Sequence, residues 1–275
     1  MVTHDLQPRA MQDWKIVLTY DGSDFRGWQV QPGLPTIQGE LQSALGRITG
    51  ETPLPQGSGR TDAGVHALGQ VASFTLAAPI PPENLLRAFN RTLPPAIRVL
   101  EASVVPHGFH ARHDAVAKTY EYRILPGAAD RCAPFLARYV YACPWKLDYA
   151  ALVAAAEQFV GEHDFASFAA SDPDLATRET GAEEPQSTVR TVFSSAWEER
   201  PTAEGNQLVY RVRGNGFLHH MVRNLVGTMV EIGRGFWKPE AVTEILAVRV
   251  RSAAGPTAPA RGLFLHSVEY DSNNQ

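Results

Sequence analysis

Residues 57–67 read GSGRTDAGVHA, and two side chains in this run can do chemistry: Arg60 and, two positions on, Asp62, with Gly59 and Gly64 on either side. The strand-like run that follows is almost free of charge. An aspartate beside a glycine is often only a turn residue. A carboxylate at the mouth of an apolar strand is a different matter, because partial loss of water makes its charge costly unless a cation pairs with it. Such a group suits nucleophilic attack or removal of a proton. The flanking glycines allow a ligand to come close to the backbone. Ser58, Asp62 and His66 also have the residue types of a hydrolase triad, but a triad is defined by geometry and not by types.

Three further groups bear on this. From Gly214 to Val230 the only formal charge is Arg223, set among Leu218, Val222, Leu225, Val226 and Met229. Read as one helix over 216–235, the segment places Arg223 one turn after His219 and His220. An arginine on so apolar a helix either meets a fixed anion or lays its stem along the core edge, and spacing does not choose between them. The run HGFHARH (107–113) spaces His107, His110 and His113 three apart, without the i, i+4 histidine pair of a helical zinc site. It reads as a basic connector suited to phosphate, with Arg112 its strongest donor. Tyr120 and Tyr122 share one face of a strand, either as ordinary sheet packing or as an aromatic platform for a base. No GxSxG elbow, Walker loop or helix-opening GxGxxG is present.

The elements that must position these residues follow from periodicity. WKIVLTY alternates as a strand and ends at the Asp21-Gly22 turn. Thr36 is a cap candidate for a helix with Ile37, Leu41, Leu45 and Ile48 at helical spacing. A strand over about 68–76, a short proline-stopped helix in PPENLLRAFNRTLPP, and a strand in IRVLEASVV complete a β-α-β-α-β first part. The second part reads as strands in AKTYEYRIL and YVYAC, and a helix in LDYAALVAAAEQFVG with Gly161 near its end. Two long strands (STVRTVFSSAWEE, NQLVYRVRGN), the Arg223 helix, a helix in PEAVTEILAVR and a closing strand in RGLFLHSVEYD follow. The expectation is an α+β chain of two α/β subdomains, 13–113 and 114–270, each an antiparallel sheet backed by helices, with loose tails at 1–12 and 271–275.

Composition sets outer limits. The 275 residues, 44% hydrophobic and 20% charged, describe an ordinary globular protein of one or two domains. Two cysteines, Cys132 and Cys143, fit a reducing compartment better than a disulfide scaffold. The first fifteen residues have no apolar signal core, and the longest charge-free run, Ala63 to Pro82, contains Gly, His, Gln and Pro, so neither a leader nor a membrane span is expected. The chain therefore reads as cytoplasmic. The net charge of −4 argues against nucleic acid taken globally, but the segment 171–187 holds five acids against one arginine and accounts for the whole surplus. That acidic run reads as a mobile loop.

GRTDAGVHA (59–67) is similar to the catalytic-aspartate motif of the TruA family of tRNA pseudouridine synthases. The resemblance continues through YDGSDFRGWQVQ (20–31), FHARHDAVAKTYEYRI (109–124), STVRTV (187–192), GNGFLHHMVRNLVGTMVEIG (214–233) and GLFLHSVEY (262–270), in the family's order. It implies a fold of two α/β subdomains with antiparallel sheets about a central cleft. The implied activity is isomerisation of uridine to pseudouridine at positions 38, 39 and 40 of the tRNA anticodon arm, by a homodimer, with no metal or cofactor. It also implies that Asp62 is the essential aspartate and that Arg60 helps displace the target base. Tyr120 would lie beside the uracil, Arg223 would pair with the aspartate, and Leu263 would lie against the base. Phe109, His110, Ala111, Arg112 and His113 would contact tRNA. Asp62 would attack C1′, attack C6 or act as a base at C2′, and the sequence leaves that choice open. The rival reading is a non-catalytic tRNA-binding or chaperone module, which has no need of a carboxylate near phosphate.

Overall fold

Alternation along Gln12–Tyr20 (β1) puts Trp14, Ile16, Leu18 and Tyr20 into the core while the residues between them stay partly exposed. The computed structural model describes residues 11–130, 132–170 and 187–271. The acidic run expected to be a mobile loop falls almost wholly outside these residues, as do most of the two tails expected to be loose. The described chain gathers into two compact units, one running to Val116 and taking up again at Leu265, the other from Ala117 to Phe264.

In the first unit β1 is followed by α1 (Ile37–Thr49), the two-residue β2 (Gln56–Gly57), β3 (His66–Leu76), α2 (Pro82–Thr92) and β4 (Ile97–Val105). Thr36 caps α1 by accepting from the Gly39 amide, and Ile37, Leu41, Ala44 and Leu45 form its buried face. Leu85 and Phe89 do the same for α2. β1 lies antiparallel between β4 and β3, in the order β4-β1-β3, with the final strand beyond β3. Trp14, Ile16 and Leu18 are fully buried, and burial of Ile16 and of Leu18 each stabilises the unit by about 1.5–3 kcal/mol relative to exposure.

The second unit is built on β5 (Ala115–Leu125), then α3 (Pro134–Ala137), β6 (Tyr141–Ala142), α4 (Tyr149–Glu157), β7 (Gly161–Asp164), β8 (Val189–Thr202), β9 (Gly205–Gly214), α5 (Met221–Gly233) and α6 (Ala241–Val248). Its strands run β5-β9-β8-β7, each antiparallel to the next, with β6 a short parallel neighbour of β5. β10 (Leu263–Tyr270) starts in this unit and continues in the first. On β5 the carboxylate of Glu121 is buried between Arg123 (2.7 Å) and Arg211 (2.9 Å). Burial pushes its carboxyl up, but hydrogen bonds and charge from the two arginines outweigh this and hold it below the usual range.

Two helix boundaries differ from expectation. α4 stops at Glu157, and Gly161 does not cap it: at φ +115° it opens β7, which pairs with β8. α5 starts only at Met221, with His220 in the left-handed region at φ 59°. His219 and His220 are therefore not a helical turn below Arg223. The apolar pattern runs on through residues whose backbone is still turning out of β9.

α5 carries a close backbone approach. A Cβ on Gly227 would lie 1.6 Å from the carbonyl oxygen of Pro256, so the segment before β10 rests directly on the helix. In an exposed helix Gly→Ala stabilises by about 1 kcal/mol. Here the sign reverses: Gly227→Ala is expected to destabilise by at least about 1–3 kcal/mol, read as a lowered urea midpoint. A midpoint at or above wild type would show that the segment is not pressed on α5.

Candidate active site

Asp62 is half-buried and opens a turn in which its own carbonyl accepts from the Val65 amide at 3.1 Å. Gly64, the third residue of that turn, takes φ +78°, as a type II turn requires. Side chains distant in sequence hold the loop. Tyr20 and Thr61 share a buried hydroxyl–hydroxyl hydrogen bond of 2.8 Å. Burial pushes the Tyr20 phenol up to about 12, so it stays protonated. The Trp28 amide donates to the Thr61 carbonyl at 2.9 Å. Gly27, at φ +92°, lets that strand-to-helix crossing come close: a Cβ there would lie 2.6 Å from the same carbonyl oxygen. Gln70, fully buried on β3, donates to the Gly59 carbonyl at 2.8 Å and accepts from the Ser58 hydroxyl at 2.7 Å. Arg60 stands exposed within this loop, two residues from Asp62.

The hydrolase arrangement does not form. Ser58 is buried and gives its single hydroxyl proton to Gln70. His66 is buried, and its Nδ1 accepts from the Gly22 amide (3.1 Å) beside Asp21 (3.2 Å), tying the end of β1 to the start of β3.

In the same unit the connector 107–114 is folded by its own polar groups. The Gly108 amide donates to Asp13 at 2.8 Å, and the His110 amide donates to Asp114 at 2.8 Å. Ala111, fully buried, donates from its amide to Ser73 and accepts from the Tyr270 hydroxyl at 2.7 Å. Phe109 packs on Tyr270 at 5.2 Å between ring centres, and the Lys15 ammonium lies 6.0 Å from the Phe109 ring. Arg112 and His113 point outward, exposed. The three histidines do not come together as one group. His107 faces Asp13 at 3.0 Å, while His110 and His113 stack at 4.2 Å.

The remaining expected residues lie in the second unit. Tyr120 on β5 is buried and meets the edge of Phe217 at 5.1 Å. Tyr122 is not a platform for a base: it is fully buried, donates its hydroxyl to the Pro259 carbonyl at 2.7 Å, and has Gly262 against its ring. Arg223, half-buried in the first turn of α5, donates from Nε to the Ala258 carbonyl at 2.8 Å, and the Ala258 amide donates back to the Arg223 carbonyl at 3.1 Å. Leu263, buried at the start of β10, ends the same stretch that begins at Ala258. The second unit thus ties Arg223 and Tyr122 to one short segment that leads into Leu263, with Tyr120 two residues before Tyr122.

Comparison with known proteins decides the family. The family model described as tRNA pseudouridine synthase matches residues 16–114 and 155–271, which include nine of the ten residues named above as candidate site or tRNA contacts, Tyr120 falling between the two stretches. The chain belongs to the tRNA pseudouridine synthase family. It is 53% identical over 260 residues to tRNA pseudouridine synthase A of Solibacter usitatus, covering 94% of this chain and 100% of that protein. It is 46% identical over 258 residues to the protein of that name from Moorella thermoacetica (93% and 98% covered) and 42% identical over 261 residues to that of Lacticaseibacillus casei (94% and 100%). Among the described residues no helix is long and apolar enough to cross a membrane.

For this member of the tRNA pseudouridine synthase family, sequence reading missed the groups that hold the loop and the connector: Tyr20, Gln70, Asp13, Ser73 and Tyr270. Gln70 carried a signal, being a lone amide in an apolar strand, where a buried polar group needs partners. The others look like ordinary strand residues.

His110 supplies a test of the connector. Its Nδ1 accepts from the amides of Arg112 (3.1 Å) and His113 (3.4 Å), which requires the neutral ring. Burial, followed by the neighbouring His113, lowers its pKa below the ordinary histidine value of 6.5. A depressed histidine pKa gives stability that is present above that value and lost as pH falls through the folded-state pKa. NMR titration is expected to show His110 protonating below 6.5, with the Nε2–H tautomer above it. An Nδ1–H tautomer at pH 7 would contradict the connector geometry.

Proposed function

We propose that this chain isomerises uridine to pseudouridine at positions 38, 39 and 40 of the tRNA anticodon arm, with Asp62 as the catalytic residue and without metal or cofactor. The tRNA substrate and the isomerase class come with the family. What supports the assignment of Asp62 is its position: a half-buried carboxylate on a turn whose flanks are fixed by Tyr20, Trp28 and Gln70. A pre-set carboxylate loses little freedom on meeting the reacting carbon.

In the reaction the bond from C1′ to N1 breaks, the uracil turns, and C1′ bonds to C5, which gives up its hydrogen while N1 gains a proton. Asp62 serves as the nucleophile at C1′ or C6, or as the base at C2′. Arg60, exposed beside it, takes the place of the flipped nucleotide and partly offsets the few kcal/mol of unstacking. Tyr120 and Leu263 bound the base. Arg223 is the cation that keeps the catalytic carboxylate ionised, since a nearby positive charge favours the charged form. Phe109 to His113 meet the tRNA backbone, with Arg112 the main phosphate donor. The enzyme works in the cytoplasm as a homodimer.

Release of tritium from tRNA labelled at uridine C5 tests this, because C5 loses its hydrogen only when it becomes the glycosidic carbon. Wild type is expected to release it and Asp62→Asn to bind tRNA without release, with both sedimenting as dimers. Turnover by Asp62→Asn at the wild-type rate would remove Asp62 from the chemistry, and a monomer mass would remove the dimer.

A further inference from the structure

The segment from Ala254 to Ala258 is fastened to α5 by a polar network that the reaction scheme above does not use. Asn224, fully buried next to Arg223, is its centre. The Asn224 Oδ1 accepts from Arg251 Nη2 at 2.9 Å and from the Thr257 hydroxyl at 2.7 Å, while its Nδ2 donates to the Phe168 carbonyl at 2.7 Å. Arg251 also donates to the Gly255 carbonyl at 3.0 Å and to Thr257 Oγ1 at 3.1 Å. Thr228 donates to the Asn224 carbonyl and accepts from the Gly255 amide at 2.9 Å. The next residue along is Ala258, whose carbonyl takes the Nε of Arg223 and whose amide binds the Arg223 carbonyl.

Resting on the role given to Arg223 above, we propose that Asn224, Thr257 and Arg251 are positioning residues that aim the Arg223 guanidinium. A guanidinium is planar, so a hydrogen bond at Nε fixes both its plane and the direction of its terminal nitrogens. That bond is only as well placed as the Ala258 carbonyl. The carbonyl belongs to a chain stretch of small residues with few side-chain atoms of its own to anchor it. The packing of Gly227 on Pro256 sets the distance between segment and helix. The network, bonded at residues 254, 255 and 257, sets how the segment is turned about its own axis. Arg251 and Asn224 do not touch substrate in this scheme; they act through Ala258.

The test uses the full chain, C5-tritiated tRNA and Thr257→Val, which keeps the branched shape and removes both hydroxyl bonds. The expected result is a fall in kcat of about 10- to 100-fold. KM for tRNA is expected to change by less than about twofold, and Thr257→Ser to restore turnover. In an Arg223→Ala background Thr257→Val is expected to cost nothing further, because its effect passes through Arg223. Wild-type kcat in Thr257→Val would overturn the inference, as would an equal loss in both backgrounds with a lowered Tm, the mark of a purely structural role. If Arg223→Ala alone turns over at the wild-type rate, the role of Arg223 itself falls and the inference with it. A crippled Arg223→Ala with unaffected Thr257→Val would sink the inference alone.

Discussion

The proposed catalytic role of Asp62 depends on a backbone held in place around the carboxylate. In this chain the task falls to bonds made on either side of Asp62. Thr61 is held through its hydroxyl by Tyr20 and through its carbonyl by Trp28, and Gly59 is held through its carbonyl by Gln70. These partners sit on β1, on the crossing to α1 and on β3, all elements with buried apolar faces. The hydrophobic core of the first unit is therefore what makes the loop stiff: it fixes the strands and the crossing, these fix the three partners, and the partners fix the turn. The same logic explains why Ser58 and His66, which look chemical in the sequence, have structural partners. They join the turn to the strands rather than to a substrate.

The second unit solves a related problem with a different device. Its candidate cation, Arg223, lies at the start of a helix whose other faces are almost wholly buried. Apolar packing fixes the helix axis but cannot orient a long, flexible side chain. Orientation comes from the backbone of the segment ahead of β10, which approaches closely at Gly227 and returns a carbonyl to Arg223 Nε. Tyr122 extends the same fastening to Pro259 and so toward Leu263. Buried polar groups here act as direction-setters within packed apolar surroundings, which is where satisfied hydrogen bonds confer uniqueness of arrangement.

Much of the fold was legible because its elements carry strong local periods. β1, β3, β4, β5, β8, β9 and both helices of the first unit were read within a few residues. The misread boundaries have one cause. Apolar residues continue past the helices, so the period gives no stop, and neither α5 nor the end of α4 carries a side-chain cap at the expected place. The last strand read correctly as a strand, but the sequence could not say that most of it joins the first unit, since local alternation carries no information about which neighbour a strand will find. Asp62 and Arg60 were visible as polar residues that packing does not require. The groups that hold them were not, because Tyr20 and Thr61 are 41 residues apart and each is unremarkable in its own stretch. Long-range hydrogen bonds leave a sequence trace only when, as with Gln70, one partner is out of place in its element.

In the proposed mechanism, remote bonds to the loop aim Asp62. Tyr20→Phe removes the hydroxyl that bonds Thr61 at 2.8 Å and accepts, at a longer 3.5 Å, from the Gln70 amide, so single-turnover isomerisation by that variant is the most direct measurement. The rate on bound tRNA is expected to fall about tenfold or more with tRNA affinity unchanged. A wild-type rate would show that the turn holds its shape without the bond, and would contradict the account.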